Sequence, residues 1–359
     1  MKKIDWYILR KFIGTFIYSL MVLLVISVVI DITEKIDDFL EHDLSLGFVF
    51  MNYYIGFIPH IAALLFPLFI FISVIFFTSK MAYRTEIVAI LSAGVSFRRF
   101  LRPYWVGAIG FGAILWVANQ WIVPKANRIR TTFETKYVKD QKDQKALEDK
   151  SMRIDTSTYI TFGYYDPNYK NGTNFILNRI DGQDLEYILR ADRVTYDTAS
   201  RKWKLEGVSE RRINGMKEVF ATRPDTALKL ALDPSELIEI RNRQEGMTTP
   251  ELREYLAKEE LRGAEGLSVY YVEEYRRTSA AVAVVILVLI GAIISSKKVR
   301  GGSGLHLAIG IVISATYILF MQFSTVFATK ADLDPLLAAW IPNFVFAGLA
   351  FYLYLRAPK

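Results

Sequence analysis

Six long apolar runs alternate with short charged segments along this 359-residue chain, three on each side of a polar stretch from about Lys125 to Arg277. The runs cover Phe12 to Ile32, Asn52 to Ser79, Pro103 to Val123, Ser279 to Ser295, Leu305 to Phe327 and Leu336 to Leu355. Each approaches or exceeds the roughly 20 residues that an α-helix needs to cross a bilayer. The first follows a basic and aromatic collar of Lys2, Lys3, Arg10 and Lys11 around Trp6 and Tyr7. It is too long for a cleavable signal and no small-residue cleavage site follows, so it reads as a retained helix. Pro59 and Pro67 fall inside the second run, where they predict kinks and carbonyls that neighbouring helices or water must satisfy.

The polar stretch has a different period. Arg128 to Lys150 is rich in helix formers and predicts a solvated extension of the third span. From Met152 the pattern alternates every second residue. Strands are predicted at Tyr159 to Phe162, Phe175 to Ile180, Leu185 to Tyr196, Lys202 to Val208, Glu218 to Thr222 and Leu237 to Ile240. Turn residues separate them at Asp166-Pro167-Asn168, Asn171-Gly172, Asp181-Gly182, Asp197-Thr198 and Asn214-Gly215. Such strands imply an antiparallel sandwich or open barrel. Thr249 and Pro250 then predict a capped helix to about Leu261, and Leu267 to Arg277 leads into the fourth span. The expected organisation is residues 1–124 with three spans, 125–270 as an inserted β domain with flanking helices, and 271–359 with three more spans.

Composition agrees, since 52% of the residues are hydrophobic. The net charge of +7 does not signal nucleic acid, because much of the excess lies in short loops beside the apolar runs. Lys80, Arg84, Arg98, Arg99 and Arg102 share one loop, and Lys297, Lys298 and Arg300 another. With the amino terminus and the tail Arg356 to Lys359 these fall on one side of a six-span arrangement, whereas Glu34, Asp37, Asp38, Glu41 and Asp43 form an acidic loop on the other. Both termini are therefore expected in the cytoplasm and the β domain outside it. The chain has no cysteine and its three histidines are scattered, so neither metal nor cofactor is expected. Gly301-Gly302-Ser303-Gly304 lacks the Gly-Lys-Ser/Thr ending that cradles phosphates, and no zinc helix or nucleophile elbow is present. Catalytic residues are not predicted. The spans also lack a central Asp, Glu or Arg for a proton relay, Asn119, Gln120, Gln322 and Asn343 being their most polar residues. Work must come from a partner.

A docking element for that partner is the loop between the second and third spans. Thr85 predicts a cap, Glu86 suits the first turn, Gly94 ends the helix, and Ile87, Val88, Ile90 and Leu91 share an apolar face beside Arg84. Such a helix, at about residues 83–94, either docks into a groove on a soluble protein or lies flat in the lipid interface.

From end to end the chain resembles the lipopolysaccharide export permeases, the LptF/LptG family. The local similarity lies in Thr85-Glu86-Ile87-Val88-Ala89-Ile90-Leu91-Ser92-Ala93-Gly94, in Ala191-Asp192-Arg193-Val194-Thr195-Tyr196-Asp197 followed by Trp203, and in Leu336 to Leu355, the last looking closer to LptG. The resemblance implies a six-span α-helical membrane protein with an inserted, jelly-roll-like antiparallel periplasmic domain, in the inner membrane of a Gram-negative bacterium. It implies the permease of an ABC exporter: two LptF/LptG-type subunits on a dimer of an LptB-type ATPase, passing lipopolysaccharide through the β domain to LptC-like and LptA-like proteins. Glu86, with Arg84, Ile87, Ile90 and Leu91, would contact the ATPase. The LptG basic residue at the outer end of the first span falls on Asp31, with Lys35 one turn further on as substitute.

A phosphorylated glycolipid would seek cations at the outer rim, where Lys35, Arg276 and Arg277 are candidates; the alternative is that they are ordinary interfacial anchors. Its acyl chains would need an apolar wall such as Phe57, Leu64, Phe69 and Phe71, which could equally face lipid. The rival class is a membrane-anchored periplasmic scaffold without a transport role.

Overall fold

A computed structural model describes residues 2–138, 147–167, 169–182, 184–198, 200–215, 217–230, 232, 234, 243–261, 264, 266–299 and 302–357. The chain divides into two compact units: Met1–Val138 with Gln244–Arg253 and Ser268–Lys359, and Lys139–Arg243 with Glu254–Leu267.

The first unit is helical. Its elements are α1 (Lys3–Glu41), α2 (Leu46–Val49), α3 (Ile55–Tyr83), α4 (Glu86–Ser92), α5 (Phe97–Phe100), α6 (Arg102–Val117) and α7 (Val123–Tyr137), then α9 (Ser268–Ser295), α10 (Gly302–Lys330) and α11 (Pro335–Leu355), with α8 (Thr249–Leu261) between α7 and α9 in sequence. Among the described residues six continuous helical stretches are long and apolar enough to span a membrane. α1 has 39 residues, about 58 Å at 1.5 Å per residue, nearly twice a 30 Å hydrocarbon core. The acidic segment expected as a loop is thus mostly the last turns of α1, because Glu, Lys and Asp continue the helix and Lys35 pairs with Asp31 one turn back. π-helical turns interrupt the second and third spans at Phe50–Tyr54 and Ala118–Ile122. Pro124 cannot donate an N–H to the carbonyl of residue 120, and the widened turn sits just ahead of it.

α9 is the central helix and packs against α3, α6 and α11. In its most apolar stretch 67% of the residues are buried, against 6% for α1 and 22% for α10. α1 and α10 therefore present most of their apolar surface outward, as lipid-facing or partner-facing helices do. Two close approaches position the rest. Asn343 on α11 donates to the Ser279 carbonyl at 2.8 Å and accepts from Tyr317 at 3.0 Å, satisfying a buried amide. At Gly56 on α3 the backbone of α7 is so near that a Cβ would overlap the Ala126 carbonyl oxygen and lie 2.8 Å from the Arg130 nitrogen.

Among the described residues the second unit holds an antiparallel sheet of eight strands: β1 (Leu147–Arg153), β2 (Thr158–Asp166), β3 (Asn171–Asp181), β4 (Asp184–Asp197), β5 (Lys202–Glu206), β6 (Val208–Asn214), β7 (Lys217–Arg223) and β8 (Thr226–Leu228). The order is β1-β2-β3-β4-β5-β8, and β6 pairs with both β4 and β7. β4 is long enough to serve two neighbours, Tyr187–Arg190 pairing with β6 and Arg193–Asp197 with β5. Gly207, at φ 65°, turns the chain between β5 and β6, where a single strand to Val208 was expected. Trp203 shares its core with Ile160, Phe175, Val194 and Leu205, lies against the rings of Phe162, Tyr165 and Tyr196, and donates its indole N–H to the Leu232 carbonyl at 3.1 Å. β1 occupies residues expected as the end of a helix from Arg128; α7 stops at Tyr137. The expected strand Leu237 to Ile240 and the turn residue Asn168 lie outside the described residues.

Gly56→Val inserts three carbons into an occupied backbone contact, so the helical unit should lose about 1–3 kcal/mol or more. A lowered melting temperature of the detergent-solubilised protein checks this, and an unchanged one would show that α3 and α7 can separate freely.

Candidate functional site

A half-open cavity of about 390 Å³ lies within the helical unit, walled by α3, the π turn with α7, α9 and α10. Leu64, Leu65, Leu68, Leu287, Ile318 and Met321 make its apolar wall. Polar groups gather near the first turns of α3 and α9: His60, Asn127, Glu245, Glu273, Arg276 and Arg277. The cavity is thus greasy along its length with a charged rim at one end, a shape matched to an amphiphile.

The rim is built around Glu273. Arg276 reaches it through Nη2 at 2.5 Å and Nε at 3.0 Å, and Arg277 through Nε at 3.1 Å. The spacings i,i+3 and i,i+4 place all three on one face of α9. Arg277 also donates to Thr249 Oγ1 at 2.9 Å and to the Met247 and Gln244 carbonyls at 2.8 and 3.1 Å. It is buried, and it ties the segment ahead of α8 to α9. Among the described residues Arg276 hydrogen-bonds only to Glu273, and it keeps 38% of its side-chain surface accessible. Of the two arginines, Arg276 is the one with accessible donors for an anionic ligand. Burial raises the Glu245 carboxyl above its ordinary range, with the charge of Glu273 adding to the effect and Arg276 and Asn127 opposing it.

Lys35 belongs to another cluster. It pairs with Asp31 at 2.7 Å and Glu134 at 3.1 Å and also bonds Tyr53, while Tyr53 and Tyr54 donate to the two Asp31 oxygens at 2.9 and 3.0 Å. Arg130 approaches Glu134 at 3.6 Å. Two cations and two carboxylates leave the cluster neutral, so Lys35 joins α1 to α3 and α7 and has no free charge to offer. Phe71 is fully buried on Gly291 of α9, among Ile75, Leu287 and Ile290. Phe69 packs against the core shared by α1, α3 and α6. Neither phenylalanine lines the cavity, because both point from α3 toward other helices; the leucines of the same helix do.

At the end of the bundle carrying α4 and α5, α4 begins after Thr85 and stops before Gly94, at φ 84°. Thr85 does not cap it. Its φ is 60° and its hydroxyl donates to the Arg84 carbonyl instead. Ile87 is buried in the bundle, with Ile90 and Leu91 packed on the same core. These three side chains face their own spans, and the surface left for a partner includes Arg84, Val88, Ala89 and Ser92. Glu86 is half-buried, bound by the Tyr7 hydroxyl at 2.8 Å and Lys11 at 3.3 Å. Glu86 thereby links α4 to the first turns of α1.

Glu273, Glu134, Tyr53 and Tyr54 are the residues that sequence reasoning missed. Glu273 carried a signal, its spacing from Arg276 and Arg277; Glu134 and Tyr53 meet Lys35, and Tyr54 meets Asp31, only through the fold.

A family model described as lipopolysaccharide export system permease LptF/LptG matches residues 6–356. No curated protein matches the chain.

Replacing Glu273 by Leu leaves two guanidiniums without their carboxylate. Loss of one partner of a buried ionic group costs about 3–5 kcal/mol. Thermal unfolding in detergent should fall accordingly, and a melting temperature equal to that of the native chain would contradict the assigned pairing.

Proposed function

Because the chain belongs to the LptF/LptG family of lipopolysaccharide export permeases, we propose that it extracts lipopolysaccharide from the inner membrane under power from an ABC-type ATPase. Members of the family are transport permeases rather than enzymes, and membership implies a partnering ATPase and permease. The observation that carries the reading is the charged-rim cavity in a six-span bundle whose sequence matches the family almost end to end.

The cavity has the volume of a site for one drug-sized group, far less than a glycolipid with several acyl chains. It would take part of the lipid, with Arg276 at the phosphate and the leucines of α3 along a chain. The remaining chains need a second wall, and the outward apolar faces of α1 and α10 suit a second LptF/LptG-type subunit. In this reading the basic loops and both termini face the cytoplasm, the β domain is periplasmic, and a dimer of an LptB-type ATPase meets the exposed face of α4. Glu86 would transmit its motion through Tyr7 and Lys11 into α1. The β sheet would pass lipid to LptC-like and LptA-like proteins.

A photoreactive residue in place of Ile318 should crosslink to lipopolysaccharide in cells. Arg276→Glu should lower the yield about tenfold, the weight of one charge-assisted contact; an undiminished yield would remove Arg276 from the lipid path. Separately, Glu86→Arg should leave ATP hydrolysis by the purified complex measurable while abolishing lipopolysaccharide release from proteoliposomes. Release at the native rate would dismiss Glu86 as a coupling residue.

A further inference from the structure

A second cleft, of about 450 Å³, opens where α5 and α6 meet the first turn of α1, and it is lined by Asp5, Arg98, Arg99, Arg102, Trp105 and Val106 together with Pro103. Its charges are unequal in their freedom. Asp5 takes a bidentate contact from Arg99, at 2.7 and 2.6 Å, and the Lys2 backbone N–H at 2.7 Å, which fixes Arg99 and saturates the carboxylate. Arg98 and Arg102 are exposed and have no ion-pair partner among the described residues. Three guanidiniums against one carboxylate leave a net charge of +2 in the cleft.

Beyond the cleft the surface turns apolar in one direction. Trp105 is 44% exposed at its edge. From there Val106, Ile109, Ala113 and Val117 follow at helical spacing along α6, all of them exposed. A fork of arginines at the membrane boundary, an interfacial tryptophan and an uncovered aliphatic stripe are the three parts needed for a phosphate, a glycerol region and an acyl chain. A free phosphate would leave the stripe unused, and so would an acidic peptide of a soluble partner.

We propose that this cleft binds an acidic phospholipid, with Arg98 and Arg102 on the phosphodiester and an acyl chain along the Val106 to Val117 stripe of α6. The ligand differs from the transported glycolipid and the site is separate from the Arg276 cavity, no residue being common to the two. The inference rests on α6 being a membrane span, and does not depend on which end of the bundle is cytoplasmic.

The test is native mass spectrometry of the full-length chain, with any subunits that co-purify, titrated with dioleoylphosphatidylglycerol or dioleoylphosphatidylcholine. Two double variants are compared: Arg98→Gln with Arg102→Gln, and Lys297→Gln with Lys298→Gln, which removes equal charge from another basic loop. The arginine pair should weaken the first bound phosphatidylglycerol about tenfold or more, from loss of charge-assisted contacts, with phosphatidylcholine unaffected. The lysine pair should leave both lipids unchanged. Equal losses in the two pairs would reduce the effect to general surface charge and overturn the site, as would no loss in either. Displacement of the lipid by inorganic phosphate at matched concentration would also overturn it. Should the arginine double variant not fold, Val106→Glu blocks the stripe and should give the same selective loss. Because the chain has no cysteine, Ala93→Cys labelled with an impermeant maleimide reports the sidedness separately. Labelling only after permeabilisation agrees with the proposed orientation, and labelling of intact cells would overturn that orientation while the lipid result stands.

Discussion

A charge withdrawn from water must find its opposite nearby, and this constraint organises the helical unit. Three clusters satisfy it: Asp5 with Arg99, Asp31 and Glu134 with Lys35 and Arg130, and Glu273 with Arg276 and Arg277. The first two join helices that apolar packing alone would leave free to slide, and the third lies along α9 and ties it through Arg277 to the segment ahead of α8, because leucine and phenylalanine surfaces are nearly interchangeable in register while a guanidinium fork is not. The tyrosines at the π turn Phe50–Tyr54 extend the second cluster by supplying hydroxyls to Asp31, which places a rare backbone feature at a polar junction. The net worth of such pairs is small. Their value lies in the cost of mismatching them, which selects one arrangement.

The same constraint sorts the cations into those committed to the fold and those open to ligands. Lys35 and Arg277 are consumed, one by two carboxylates and the other by a carboxylate, a hydroxyl and two carbonyls. Arg276 retains accessible surface at the cavity rim. A positive residue near the end of a span is therefore poor evidence for an anion site until its partners are known. Apolar side chains sort likewise: Phe71, conspicuous in the sequence, fills the contact between α3 and Gly291, and smaller leucines on the same helix line the cavity.

Hydropathy and period determined much of this protein before any contact was known. Runs of about 20 apolar residues can satisfy their backbone in a membrane only as helices, so six spans were legible, as was the change to period two in the polar stretch. The local helix signals of α4 were legible in part: Glu86 in the first turn and Gly94 at the stop follow from chain chemistry, whereas Thr85 takes a left-handed conformation and does not cap. The i,i+3 and i,i+4 spacings of Glu273 with Arg276 and Arg277 were also present in the sequence, since a helix alone brings those positions together.

Only the tertiary structure decided which face of each element is used. Ile87, Ile90 and Leu91 form an apolar stripe that suits a partner's groove as well as the chain's own core, and packing on α3 and its neighbours chose the core. Lys35 meets Glu134 across 99 positions, and Tyr53 across 18, separations that no local rule connects. Opposite β3, β4 takes two partners, β5 and β6, because its length exceeds either of them, a fact of pairing rather than of composition. A sequence specifies what a residue can do locally; the fold, by spending some of its charges and aromatic rings on contacts between distant segments, determines which remain for function.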